Sequence, residues 1–144
     1  MIALLFAALV QAAQAAPPPP AAAVTLGPIG EQRLPAKGCA AYLWSVADRQ
    51  LVAMATADPA TIRVSLGGRT LDLTRSAGEG AGKLGFADQA EYRGGDVTAR
   101  LTMEIVQQEA LTAGAKVPAG SLQIDRPGQD GIVVPVAGLI GCRA

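Results

Sequence analysis

Two short runs of alternating apolar and polar residues, separated by a pair of glycines, constrain the fold of this chain more than any other feature of its sequence. The runs are 61–66 and 69–73, and Gly67-Gly68 lies between them. A two-residue glycine loop joins antiparallel strands in a tight hairpin, because glycine adopts the positive φ angles that such turns require. The pattern predicts a β-hairpin whose two strands share one apolar face, made of Ile62, Val64, Leu71 and Leu73, with Arg63, Ser65, Thr70 and Asp72 on the other.

The same period of two recurs on both sides of this hairpin. Residues 42–46 and 51–55 predict a second hairpin, and residues 97–105 alternate over their whole length, which predicts one long half-buried strand. The stretch Glu104 to Ala113 could instead form a short helix ended by Gly114, because Gln, Glu, Ala and Leu favour helices.

The C-terminal third adds two further strands. Residues 121–125 and 132–136 alternate around a turn at Pro127-Gly128, and Pro135 places the last strand at an edge or a bulge, because proline cannot donate a backbone hydrogen bond. Seven or so short strands with closely spaced turns are typical of a mainly β fold. We therefore expect a small antiparallel β-sandwich or barrel.

Two cysteines, Cys39 and Cys142, stand near the two ends of this strand-rich region. In an oxidising compartment, an isolated pair in so small a protein is read first as a disulfide, which here would tie the first strand to the last. Gly38 and Gly141 precede the cysteines and would allow close approach of the two backbones. Two free buried thiols or a redox pair are the alternatives, and the Cys-x-x-Cys spacing of a redox pair is missing.

The N-terminal residues predict export. The apolar run 2–10 has the length of a signal-peptide core and is too short to span a bilayer, and Ala13-Gln14-Ala15 supplies a small-x-small cleavage pattern. The alternative, an N-terminal core helix, would need a polar face that this run lacks. We predict a signal peptide at 1–15, a Pro/Ala-rich linker at 16–37 and one β-rich domain at 38–144. The expected location is periplasmic or secreted, without a stable membrane anchor after cleavage.

Composition argues against several kinds of activity. The chain has 12 Lys plus Arg and 12 Asp plus Glu, and its aromatic content is 3%, so it offers neither the basic field nor the stacking platforms of a nucleic-acid-binding protein. It contains no histidine, which removes the usual general base, the Ser-His and Cys-His systems and the commonest zinc ligand. The pattern Gly80-x-Gly82-x-x-Gly85 lacks the βαβ unit of a dinucleotide site and indicates a surface loop. We expect no enzyme, no metal and no cofactor.

Residues 60–101 resemble the periplasmic inhibitors of C-type lysozymes. The similarity comprises the hairpin at 60–73, a small-residue loop from Ser76 to Lys83, and the turn Tyr92-Arg93-Gly-Gly-Asp, in which Tyr92 stands where that family has tryptophan. The resemblance implies an exported, disulfide-closed β-barrel. It also implies that Ser76 and Arg93 reach the catalytic carboxylates of a lysozyme, with Lys83 and Tyr92 beside them.

Three functional hypotheses follow from the sequence. The first is a non-catalytic envelope protein that binds another envelope protein or has a structural role, and it predicts a concave surface apart from the loop. The second is a lysozyme inhibitor, which predicts that Ser76 and Arg93 are adjacent and exposed. The third is a small hydrolase using Ser76 and Lys83 or a pair of carboxylates. Tyr42 and Trp44 belong to an apolar strand and are expected in the core, although they could line a ligand surface.

Overall fold

The computed structural model of the protein describes Ala13 and residues 22–80, 82–107 and 113–143. The predicted signal peptide therefore lies outside the described residues except for Ala13, as does the proline run 17–20. Within the described ranges the chain forms β-strands and no helix. The strands are β1 (Leu26–Gly27), β2 (Gly38–Ser45), β3 (Leu51–Thr56), β4 (Thr61–Leu66), β5 (Arg69–Glu79), β6 (Gln89–Gly94), β7 (Val97–Met103), β8 (Gly114–Asp125) and β9 (Ile132–Arg143).

Strands β2 to β9 form a closed antiparallel barrel of eight strands. Each strand pairs with the next one along the chain, and β9 returns to pair with β2, which leaves a simple up-and-down order. The short strand β1 adds to β4 beside β3, with Leu26 opposite Leu66. The sequence-based expectation of a small β-sandwich or barrel is confirmed as a barrel.

The glycine hairpin has the predicted register. Ile62 lies opposite Leu73 and Val64 opposite Leu71, while Gly67 and Gly68 have φ angles of 57° and 79°. On the outer face Arg63 Nε donates to Asp72 Oδ1 over 2.8 Å, since these two residues are also directly opposite each other. The alternation of apolar and polar residues was therefore sufficient to set both faces of this pair.

Apolar side chains fill the interior of the barrel, as is typical of eight-stranded barrels of this width. The strand predicted from residues 97–105 shows the pattern most clearly, because every second residue from Val97 to Ile105 is at most 8% exposed. The largest fully buried side chains come from several strands and include Tyr92, Leu43, Ile62, Leu73, Leu101 and Leu122.

The alternative of a helix at 104–113 is wrong where the structure describes this stretch. Residues 104–107 are not helical, and Val106 forms a bridge to Lys116 in which each backbone nitrogen donates to the other residue's oxygen over 2.9 Å. Pairing with β8 thus outweighs the local helical preference of these side chains. Residues 108–112 lie outside the described ranges.

Pro135 does not lie on an edge strand. Strand β9 pairs with β8 on one side, where Pro135 is opposite Ser121, and with β2 on the other, where Ser45 is opposite Val136. The oxygen of Pro135 accepts a hydrogen bond from the nitrogen of Val46, just beyond the end of β2. Proline is tolerated here because its nitrogen, which carries no hydrogen to donate, lies on the side of β2 and just beyond the end of that strand.

The disulfide is confirmed and lies where β9 pairs with β2 to close the barrel. Cys39 on β2 and Cys142 on β9 are directly opposite each other, and their sulfur atoms are bonded. The oxygen of Cys39 accepts from Ala57 and the nitrogen of Cys142 donates to Ala113, so the backbone groups of both residues point to their outer neighbours. Such non-hydrogen-bonded pairs hold side chains close together, which suits a cross-strand disulfide.

Residues 22–37, which the sequence assigns to the linker, contact the barrel. Ala23 forms a parallel bridge with Asp130, Val24 is 5% exposed within the core cluster, and Gln32 Oε1 accepts a hydrogen bond from Arg63 on the outer wall. This segment runs from the β8–β9 turn past the β4–β5 turn and then along the outside of the barrel. The packed part of the chain therefore begins before Gly38.

Candidate functional site

The outer face of strands β5 to β8 carries a shallow groove of about 350 Å³. Strand registers arrange its outward side chains in two rows of four. We call this surface the β5–β8 groove. Its first row is Ala77, Glu91, Arg100 and Gln123, and its second row is Glu79, Gln89, Thr102 and Ser121.

Three side chains converge on Glu91 at one end of this groove. Arg93 Nε donates to Glu91 Oε1 over 2.7 Å, and Arg100 Nε donates to Glu91 Oε2 over 3.2 Å. Ser76 Oγ donates to the same Oε1 atom over 3.2 Å and lies 3.3 Å from the Glu91 backbone oxygen. We call these four residues the Glu91 cluster.

The sheet itself places the members of the cluster. Arg93 follows Glu91 by two residues on β6, so both side chains leave the same face of the strand. Arg100 is directly opposite Glu91 on β7. Ser76 lies where the register between β5 and β6 shifts between Arg75 and Ala77, and this β-bulge adds the residue that turns towards Glu91.

The cluster carries one net positive charge on an exposed surface. The side chains of Arg93 and Arg100 are 62% and 56% exposed, whereas that of Glu91 is 20% exposed. Hydrogen bonds from Arg93, and then from Arg100, hold the pKa of Glu91 below its usual range. Each arginine uses only its Nε in the cluster, which leaves its terminal nitrogens able to bind another acceptor.

Acidification is expected to weaken the fold through Glu91. Because the folded-state pKa of Glu91 is lowered from its ordinary value of 4.5, its contribution to stability is present above that value and is lost as pH falls through the folded-state pKa. The variants Glu91→Gln and Arg93→Ala should each show a smaller loss of unfolding free energy below that pH than the wild type. Urea denaturation at a series of pH values measures this slope, and identical slopes in all three proteins would contradict the assignment.

The structure brings together two of the four predicted binding residues. Ser76 and Arg93 are both exposed and share one oxygen of Glu91. Lys83 instead directs its Nζ to the backbone oxygen of Ile105, at 3.3 Å. Tyr92 is 2% exposed and lies inside the barrel, because it alternates with Glu91 and Arg93 along β6.

The sequence patterns identify neither Arg100 nor Glu91 as a site residue. A signal for Arg100 was present, since it occupies the polar face of the alternating run 97–105. The spacing of Glu91 and Arg93 likewise places them on one face of a strand. Only the pairing of β6 with β7 shows that Arg100 is opposite Glu91.

Two aromatic residues expected in the core lie on the outer wall. Trp44 is 37% exposed and Tyr42 is half-buried, because Leu43 and Ser45 are the residues of β2 that point inward. Tyr42 lies opposite Leu139, which is 50% exposed, and so belongs to an apolar strip along β2 and β9. Burial raises the pKa of Tyr42, whose hydroxyl has no hydrogen-bond partner within the described chain.

The remaining acidic residues form no metal centre in the part of the chain that the structure describes, where no group of three potential ligands is found. Asp96 pairs with Arg126: the Nε atom of Arg126 lies 3.1 Å from the Oδ1 atom of Asp96. This hydrogen bond lowers the pKa of Asp96. The Arg126–Asp96 pair is useful as a matched control for the Glu91 cluster, because it is also a partly exposed arginine–carboxylate contact.

Comparisons with protein-family models, with curated proteins and with solved structures gave no match to this chain. Among the described residues, no helix has the length and apolar character needed to cross a bilayer.

Proposed function

We propose that this protein is a small exported, non-catalytic envelope protein that binds an acidic protein partner through the Glu91 cluster. The observation that carries the proposal is the convergence of Ser76 and Arg93 on one carboxylate oxygen, on an exposed face of a closed barrel. The fold supports this role because the barrel interior is filled by its own side chains, so that binding must use the outer surface.

The cluster suits a carboxylate as its ligand. Arginine presents several N–H donors in a fixed fork that matches the two oxygens of a carboxylate. Glu91 holds Arg93 and Arg100 through their Nε atoms, so less side-chain freedom is lost when a partner binds. Ser76 adds a hydroxyl beside the Arg93 contact, and the two exposed arginines offer charge-assisted hydrogen bonds to the carboxylates of an acidic surface.

A specific form of this proposal is inhibition of a C-type lysozyme. The resemblance in residues 60–101 requires Ser76 and Arg93 to be adjacent and exposed, and their shared contact with Glu91 meets that requirement. Lys83 and Tyr92 do not support it, since the first bonds Ile105 and the second is buried. The candidate therefore depends on Ser76 and Arg93.

A hydrolase built on Ser76 and Lys83 has no such support. Ser76 Oγ bonds Glu91, and Lys83 Nζ bonds the Ile105 oxygen. A Ser-Lys system needs the amine within hydrogen-bond reach of the hydroxyl that it activates.

The first experiment measures inhibition of a C-type lysozyme by the oxidised protein, beside Arg93→Ala, Ser76→Ala and the control Arg126→Ala. We expect inhibition at micromolar concentration by the wild type and by Arg126→Ala. Arg93→Ala should be weaker by about tenfold or more, because it loses a charge-assisted contact at the interface.

Absence of inhibition by folded wild-type protein would overturn the lysozyme candidate. Equal losses in Arg93→Ala and Arg126→Ala would show that general positive charge, and not the Glu91 cluster, is responsible. The wider proposal is tested by crosslinking in an envelope extract. A partner should be recovered by the wild type and by Arg126→Ala and lost with Arg93→Ala, and recovery unaffected by Arg93→Ala would overturn it.

A further inference from the structure

The β5–β8 groove extends beyond the Glu91 cluster, and the proposed protein-binding role does not use that extension. It consists of the second row, Glu79, Gln89, Thr102 and Ser121, together with Gln123 at the end of the first row. All of these side chains are polar and all line the same cavity.

The size of the groove fits a small elongated ligand. Its volume, about 350 Å³, lies within the range of ordinary small-molecule sites, about 300–1,000 Å³. Four strands at about 4.8 Å spacing give a floor about 14 Å long, and two rows separated by two residues give a width of about 7 Å. A ligand of two or three linked rings, lying across the strands, would contact both rows.

The charge of the groove favours a neutral ligand. Glu79 and Glu91 line it together with Arg100, and Arg93 stands at the rim, so the formal charges cancel. Leu101 is the one large apolar lining residue, and it is 1% exposed because its side chain points into the barrel. A lipid or an aromatic ligand would find no large exposed apolar side chain here, and a phosphorylated ligand would find no excess of cations.

The floor instead offers donors and acceptors. Gln123 Nε2 is engaged with Asp125 at 2.8 Å, which leaves its amide oxygen as an acceptor. In the part of the chain that the structure describes, the side chains of Gln89, Thr102 and Ser121 take part in none of the hydrogen bonds found, so their amide and hydroxyl groups face solvent with their bonding capacity intact. A β-sheet holds these groups at fixed spacing, which is the property required of a preorganised site.

From this juxtaposition we infer that the β5–β8 groove binds a neutral oligosaccharide. Ring hydroxyls both donate and accept hydrogen bonds, and adjacent hydroxyls on a sugar ring match the paired groups of an amide, a carboxylate or a guanidinium. Gln89, Gln123 and Glu79 supply such planar groups, and Thr102 and Ser121 supply hydroxyls beside them. The sugar chain crosses strands β5 to β8, with one end at Glu79 on β5 and the other at Ser121 and Gln123 on β8.

The test titrates the protein with three neutral trisaccharides, maltotriose, cellotriose and tri-N-acetylchitotriose, and follows backbone amide signals by NMR. We expect saturable shifts in the millimolar range or below for at least one of them, at residues 89–91, 100–102 and 121–123. The variant Gln89→Ala/Thr102→Ala should bind about tenfold more weakly. Gln129→Ala changes an exposed glutamine in the β8–β9 turn and should bind like the wild type.

Three results would overturn the inference: no saturable shift with any of the three sugars, shifts confined to another surface, or equal weakening by Gln129→Ala. An amide spectrum of the double variant with the wild-type dispersion shows that it is folded. The outcome is independent of the proposed function, since Arg93→Ala should weaken protein binding by about tenfold or more with sugar binding retained. Gln89→Ala/Thr102→Ala should have the reverse effect.

Discussion

Replacement of Tyr92 by alanine is expected to lower the free energy of unfolding by about 3–5 kcal/mol, the usual cost of truncating a buried aromatic side chain. Tyr92 is 2% exposed and is among the largest fully buried side chains of the described chain. Its loss would leave a cavity between strands that are all paired on both sides, so the walls have little freedom to collapse. Tyr92→Phe retains the ring and should retain most of the stability.

The matched control is the next residue. Arg93→Ala removes a side chain that is 62% exposed and should change the unfolding free energy by less than about 1 kcal/mol. Chemical denaturation of both variants measures the difference. If Tyr92→Ala were as stable as Arg93→Ala, the Tyr92 side chain would have to lie outside the barrel, and its assignment as a binding residue would return.

Removal of the disulfide is expected to have an effect of similar size. The bonded cysteines are 103 residues apart, and in the chain-entropy model a loop of about 100 residues contributes about 4–5 kcal/mol by restricting the unfolded chain. The double variant Cys39→Ala/Cys142→Ala should therefore unfold at much lower denaturant concentration than the oxidised wild type.

The measurement is urea denaturation of the double variant, the oxidised protein and the reduced wild type. The double variant and the reduced wild type should have similar midpoints, because both lack the covalent link. A midpoint for the double variant within error of the oxidised protein would show that the seam between β2 and β9 is stable without the bond.

Local pattern was enough to predict the hairpins. The run 61–73 has the predicted turn and register, because one-residue slippage would move Ile62 and Val64 to solvent. The disulfide followed from the positions of two cysteines together with the predicted export to an oxidising compartment. The barrel could be named only as one of two options. The predicted disulfide brings β2 near β9, but it does not show that the two strands pair and close the sheet.

The binding residues were predicted less well because a motif does not specify the orientation of each side chain. Tyr92 and Arg93 are neighbours in the same turn motif, yet the pleat of β6 sends one into the barrel and the other to the surface. Trp44 was misplaced for the same reason, since an apolar side chain on an apolar strand still points outward when its neighbours point inward. Ser76 reaches Glu91 only because of a bulge.

The position of the disulfide also affects how the protein withstands proteolysis. All the loops that join consecutive strands from β2 through β9 lie between Cys39 and Cys142 in the sequence. A protease that cuts one exposed connection, such as the β4–β5 turn, would leave two fragments joined by the bond and still paired with their neighbours within the barrel. Release of a fragment from between the two cysteines requires two cuts, so a single nick there separates the chain into two pieces only after reduction.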